Sequence, residues 1–134
     1  MENLNVNQLF KSIIDADKEP VVICGLDNTI IYMNLSAIKR YKKYGGSDLI
    51  GRSIYNCHHS ESNDKIEKCL EWFEESTDNN SVFTHNITKD GEDSDVYVVA
   101  LRDDLGRLIG YYEKHESRLH ETAPAYGNVM EEVR

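Results

Sequence analysis

The chain has 134 residues, 40% of them hydrophobic and 29% charged, and a formal net charge of −9. That length allows one domain with a real core, but not a sensor joined to a separate output module. The acidic balance excludes a broad surface for nucleic acid or anionic lipid, because it repels phosphate.

Val6, Leu9, Phe10, Ile13 and Ile14 fall at i, i+3, i+4, i+7 and i+8, the stripe of an amphipathic helix that Asn3 or Asn5 can cap. Pro20 disfavours helix at Glu19 and so ends it. A helix this short is marginal alone, so the stripe is expected to pack on the outer sheet face or on the same helix of a second copy. Two β-runs follow, 21–26 and 29–33, joined by Leu26-Asp27-Asn28, where Asp and Asn tolerate left-handed backbone. Asn34 starts a helix to about Tyr44, which Gly45-Gly46 stops. Ser47 to Ile54 reads as a short helical turn and a loop. A helix over 63–75, capped by Ser60 or Ser62, buries Ile66, Cys69, Leu70 and Phe73.

The second half changes period. Residues 81–88 alternate, with Phe83, His85 and Ile87 on one face and Val82, Thr84 and Asn86 on the other. A polar turn over 89–94 leads to strands at Val96–Arg102 and Arg107–Lys114, separated by Asp103-Asp104-Leu105-Gly106. The division expected is an N-terminal helix over 1–18, a domain over 19–117 and a loosely ordered tail over 118–134. Strands, then helices, then strands give an α+β domain with an antiparallel sheet. Neither a signal peptide nor a run of about 20 apolar residues is present, so a cytoplasmic location is expected. Cys24, Cys57 and Cys69 are odd in number and widely spaced, which is no disulfide framework.

Three signatures stand in order. They are Leu26-Asp27-Asn28-Thr29-Ile30-Ile31-Tyr32-Met33-Asn34, Ile50-Gly51-Arg52-Ser53-Ile54, and Leu101-Arg102-Asp103-Asp104-Leu105-Gly106-Arg107-Leu108-Ile109-Gly110. Together they resemble the PAS domain family: its turn, second strand and capping Asn, the step before its long helix, and its last hairpin. The resemblance implies a five-stranded antiparallel sheet with helices packed on one face, plus the N-terminal amphipathic helix. It also implies a stand-alone sensory or signalling module rather than an enzyme, binding a small ligand or a protein partner, and pairing as a homodimer or with a signalling protein. Gly51 to Ser62 is further similar to an Asn-Cys-His loop found in a bacterial subgroup, although His59-Ser60 stands where that subgroup often has Pro-Pro. Many members end in Asp-Ile-Thr before a signalling helix. Here the position reads His115-Glu116-Ser117, and no output domain is expected to follow.

Cys57-His58-His59 is the dense cluster of ligand-type residues. Thiolate and imidazole suit zinc, copper or haem iron, yet no Cys-x-x-Cys or His-x-x-x-His completes a tetrahedron. The plain alternative is a loop whose side chains satisfy backbone groups before the helix. His58 and His59 are thus candidate haem or metal ligands, and a haem- or metal-binding domain sensing gas or redox state is the alternative function. His85, between Phe83 and Ile87, reads either as a satisfied core histidine or as a ligand contact on a cavity-lining face. Cys69, on the helix stripe, reads as a small hydrophobe beside a cavity, and Trp72 as a flank of that cavity or a packing residue. The cofactor is open between haem and a small metabolite. The sequence Asn56-Cys57-His58-His59 does not supply the Asn-Cys-Arg-Phe-Leu-Gln pattern of flavin photoreceptors.

Overall fold

The structure is a computed structural model that describes residues 4–57, 60–87, 93–117 and 123–124. Helix α1 spans Val6–Ala16, and the side chain of Asn5 caps it by accepting from the amides of Asn7 and Gln8. Strands β1 (Val21–Gly25) and β2 (Ile30–Met33) form a hairpin whose turn holds Asn28 at φ 68°. The next helix, α2, is Leu35–Arg40, shorter than its apolar pattern predicts. Tyr41 leaves helical geometry, and two short 3-10 turns (Lys42–Tyr44 and Gly46–Leu49) carry the chain onward through Gly45 at φ 129°. A third such turn, Ile54–Cys57, precedes the long helix α3, Ser60–Glu75, which begins about a turn before its apolar stripe.

Strands β3 (Ser81–Ile87), β4 (Asp93–Arg102) and β5 (Leu108–Ser117) complete an antiparallel sheet in the order β2-β1-β5-β4-β3. β4 begins three residues earlier than expected and β5 runs three residues further, because Ser94 pairs with Ser117 and Asp95 with Glu116. Polar residues carry that extension, so apolar periodicity does not reveal it.

Register divides the sheet into two rows. Val22, Cys24, Val82, Thr84, Val96, Val98, Ala100, Tyr111, Glu113 and His115 share the inner face, which α2, the 3-10 turns and α3 cover. Ile23, Phe83, His85, Tyr97, Val99, Tyr112 and Lys114 share the outer face. The core lies in the inner layer, where Phe73, Ile54, Ile30 and Tyr111 are fully enclosed. Gly110 permits a close approach of β5 to β1: a Cβ there would stand 2.6 Å from the Cys24 carbonyl oxygen.

Asn34 joins three elements from full burial. Its Oδ1 accepts from the amides of Val21 and Ala37, both at 2.9 Å. Its Nδ2 donates to the carbonyls of Ile14 at 3.0 Å and Glu19 at 2.9 Å, which ties the last turn of α1 to the domain. Lys11 lies over the Tyr32 ring and the Tyr32 hydroxyl meets Asp15, so α1 is held along β2 by its polar side. The apolar stripe faces away: Val6, Leu9, Phe10 and Ile13 are exposed, and Ile14 is half-buried. Packing of this stripe on the chain's own outer sheet face, one of the two expected arrangements, does not occur.

Candidate functional site

A cleft of about 270 Å³ opens between α3 and the inner row of β3 and β4. Lys65, Ile66, Lys68 and Cys69 form its helix wall and Val82, Thr84, Val96 and Val98 its sheet wall, while Phe83, which belongs to the outer row, borders it on the edge strand. The i, i+3, i+4 spacing of α3 places Ile66 and Cys69 toward the sheet, while Lys65 and Lys68 flank them. Val82 and Val98 are directly paired across the strands, as are Thr84 and Val96, so the sheet wall is continuous. A larger depression, about 420 Å³, lies on the outer face among Tyr97, Val99, Tyr112, Lys114 and Glu116. It spreads over an uncovered sheet, so the cleft under α3 offers the more enclosed ligand surface.

Polar groups are built into the inner layer beside the cleft. Glu113 pairs with Val98 across β4–β5 and is buried, as is His115 two residues on. His115 Nε2 lies 3.3 Å from the Tyr41 hydroxyl of the segment after α2. Burial, and then the charge of Glu113, pushes the Cys69 thiol up. Toward the other end, the Tyr111 hydroxyl donates to Asn28 Oδ1 at 2.6 Å. Asn28 Nδ2 in turn donates to the Tyr55 hydroxyl at 3.0 Å and to Glu67 Oε1 at 3.1 Å, and Tyr55 also meets Glu67. Burial, then the Glu67 hydrogen bond, pushes the Tyr55 phenol up to about 12, and burial raises Tyr111 as well. This network fastens the hairpin turn, the 3-10 turn, α3 and β5 to one another.

The structure separates the candidate residues named from sequence. Cys69 lines the cleft. His85 does not: the odd-numbered row of β3 faces outward, so the expectation of an inner-face imidazole is corrected. There, His85 Nδ1 lies 2.9 Å from Asp95 and Nε2 2.8 Å from Asp93, and the ring is engaged by carboxylates at both nitrogens. The alternation was legible; which row turned inward was set by pairing with β4, where Val96 and Val98 take the inner face. Trp72 also leaves the site. It is 38% exposed, stacks at a tilt 5.8 Å from Phe73 and lines no part of the cleft. Cys57 ends its 3-10 turn, while its side chain, together with His58 and His59, lies outside the described residues. Among the described residues no group of three or more His, Cys, Asp or Glu side chains could hold a metal ion.

Sequence reasoning missed Glu113, His115, Tyr41, Asn28 and Glu67. A signal existed in Tyr111-Tyr112-Glu113-Lys114-His115-Glu116, where alternate residues form two rows. Each row holds one tyrosine and two ionisable residues, so composition alone does not say which is buried.

One antiparallel sheet, α2 and α3 on its inner face and a cleft under α3 define a sensor-type α+β domain. The family model of the PAS domain matches residues 18–113, and the chain belongs to that family. It is similar to the crystal structure of a C-terminal domain from Streptococcus mutans, at 20% identity and a TM-score of 0.66, over 87% of this chain and 89% of that one. It is also similar to the PAS domain of a protein from Colwellia psychrerythraea, at 16% identity and TM-score 0.59, over 84% and 97%. A sensory box sensor histidine kinase from Vibrio cholerae matches at 16% identity and TM-score 0.59, over 86% and 94%. Identities this low speak for the fold alone. No curated protein matches the chain.

Proposed function

We propose that this PAS domain is a sensory module that binds a small, largely apolar molecule in the cleft between α3 and β3–β4. The observation that carries the reading is the cleft itself: apolar walls from two elements, with polar groups confined to Thr84 and the two lysines. Ligand sites are typically concave, mostly apolar and furnished with a few polar groups. Occupancy would change how α3 seats on the sheet. The Tyr111–Asn28–Tyr55–Glu67 network links α3 to β5 and to the β1–β2 turn, and Asn34 links β1 and α2 to α1. The exposed stripe of α1 then presents the change to a second copy of the chain or to a signalling partner.

A catalytic role has less support. A nucleophilic cysteine needs a lowered pKa, whereas burial and Glu113 push Cys69 the other way. The haem alternative is weakened by His85, which stands on the outer face between two carboxylates.

The test combines mass spectrometry of small molecules retained by the purified protein with melting of the wild type and of Cys69→Trp, which fills the cleft. A retained or added molecule that raises the Tm of the wild type but not of the variant supports the reading. Equal effects on both proteins overturn it.

A further inference from the structure

We propose that the cleft takes a straight-chain carboxylate of about eight carbons, tail inward and head group between Lys65 and Lys68. The proposal rests on the cleft being the sensory site. Its first ground is charge. The chain carries 24 Asp and Glu against 15 Lys and Arg, yet none of the nine residues around the cleft is acidic and two are lysines. Three residues apart on α3, these lysines lie on neighbouring parts of one helix face. Their aliphatic stems can cover a hydrocarbon tail while their ammonium groups meet an anion at the surface.

Orientation follows from what lies behind the walls. Buried Glu113 stands opposite Val98 on the inner face and acts on the Cys69 thiol. A second carboxylate driven inward would meet that charge in a poorly solvated layer, whereas at the mouth it meets two cations and water. Ile66, Val82, Val96 and Val98 leave a methylene chain as the fitting interior partner. Size sets its length. An apolar cavity of about 150 Å³ accepts benzene, with about six heavy atoms, so this cleft scales to about ten, the size of octanoate.

The experiment is calorimetric titration of the full chain with sodium octanoate, sodium butanoate and 1-octanol. Octanoate should bind about 250-fold tighter than butanoate, because each of its four further methylenes contributes about fourfold when buried. It should bind about five- to tenfold tighter than octanol, the gain expected from solvent-exposed ion pairs. The double variant Lys65→Gln/Lys68→Gln, altered only at the helix surface, should lose the preference for octanoate over octanol and keep its affinity for octanol. Octanoate binding no tighter than butanoate, octanol binding as tightly as octanoate, or an unchanged preference in the double variant overturns the proposal. If octanoate fails while another molecule binds the wild type and not Cys69→Trp, the carboxylate assignment falls and the sensory cleft stands. If no molecule distinguishes those two proteins, both fall.

Discussion

Replacing Asn34 by alanine removes four good hydrogen bonds from a residue with no solvent exposure. Loss of the α2 cap at the Ala37 amide costs about 1 kcal/mol. The Val21 amide is left buried without its acceptor, a desolvation cost of about 1–3 kcal/mol. The Ile14 and Glu19 carbonyls lie nearer the surface, where water can replace the amide, and add little. The sum is about 3 kcal/mol, or a Tm lower by roughly 10 °C for a domain of this size. Urea unfolding followed by the fluorescence of the single Trp72 measures it. Asn34→Asp sharpens the test. Aspartate caps helices as well as asparagine does, so a residue acting only as a cap would tolerate it. Here the variant loses the donor to α1 and sets a carboxylate oxygen against two carbonyls. Its stability should fall, and limited proteolysis should cut between α1 and β1 faster than in the wild type. A loss below about 1 kcal/mol for Asn34→Ala, or wild-type proteolysis for Asn34→Asp, would refute the junction role.

Arg102 donates to the carbonyls of Phe73, Ser76 and Asn79 at the end of α3 and to Gly106 across its own turn. Arg102→Met should cost about 2–3 kcal/mol in urea unfolding, and Arg102→Lys, lacking the planar fork, should recover less than half of it. Gly110→Ala should destabilise by about 2–3 kcal/mol in the same assay, because the new Cβ meets the Cys24 carbonyl at 2.6 Å and β1 must move off β5. Phe10→Asp and Ile13→Asp lie on the exposed stripe of α1. They should abolish concentration-dependent self-association in light scattering while shifting stability by less than about 0.5 kcal/mol; a wild type that stays monomeric at every concentration would rule out pairing through α1. The Cys69 thiol is raised above 9.0 by burial and then by Glu113, so the fold favours its neutral form. Its contribution to stability should be complete below the unfolded thiol pKa and fall as pH rises through the folded one. Peptide-mapped alkylation of Cys69 should therefore start at higher pH than that of a free thiol, and Glu113→Gln should move its onset to lower pH.

Much of the fold was legible because its local rules agree with one another. The α1 stripe, the Asp27-Asn28 turn, the Asn34 cap and the α3 stripe each match an element of the structure. Strand ends were less legible. β4 and β5 extend through Ser94, Asp95, Glu116 and Ser117, held by ladder hydrogen bonds rather than by apolar side chains. The site was read only in part. Cys69 lines the cleft, where its place on the buried helical stripe puts it, but His85 was assigned to the wrong face. A strand's alternation fixes which residues travel together, and only pairing with the next strand decides which set turns inward. Glu113 and Asn28 were passed over for a related reason. Buried polar groups resemble surface ones in sequence, and only the partners brought to them by distant segments tell the two apart.

The position of β5 at the centre of the sheet governs how the domain can assemble. β1 and β4 are each paired on one side by a sequence neighbour, β2 or β3, and on the other by β5. Until β5 arrives, the two hairpins share no strand-to-strand bond, and the inner rows of β1 and β4 have no common floor. Val21 must then find Lys114, and Cys24 must find Tyr111, across nearly the whole domain. Closing so long a loop is slow compared with forming either hairpin, so cooperative order is gained late, in one step. During synthesis the nascent chain therefore has its two halves unjoined until the segment around Tyr111 has left the ribosome, and in that interval its strand edges are most open to mispairing.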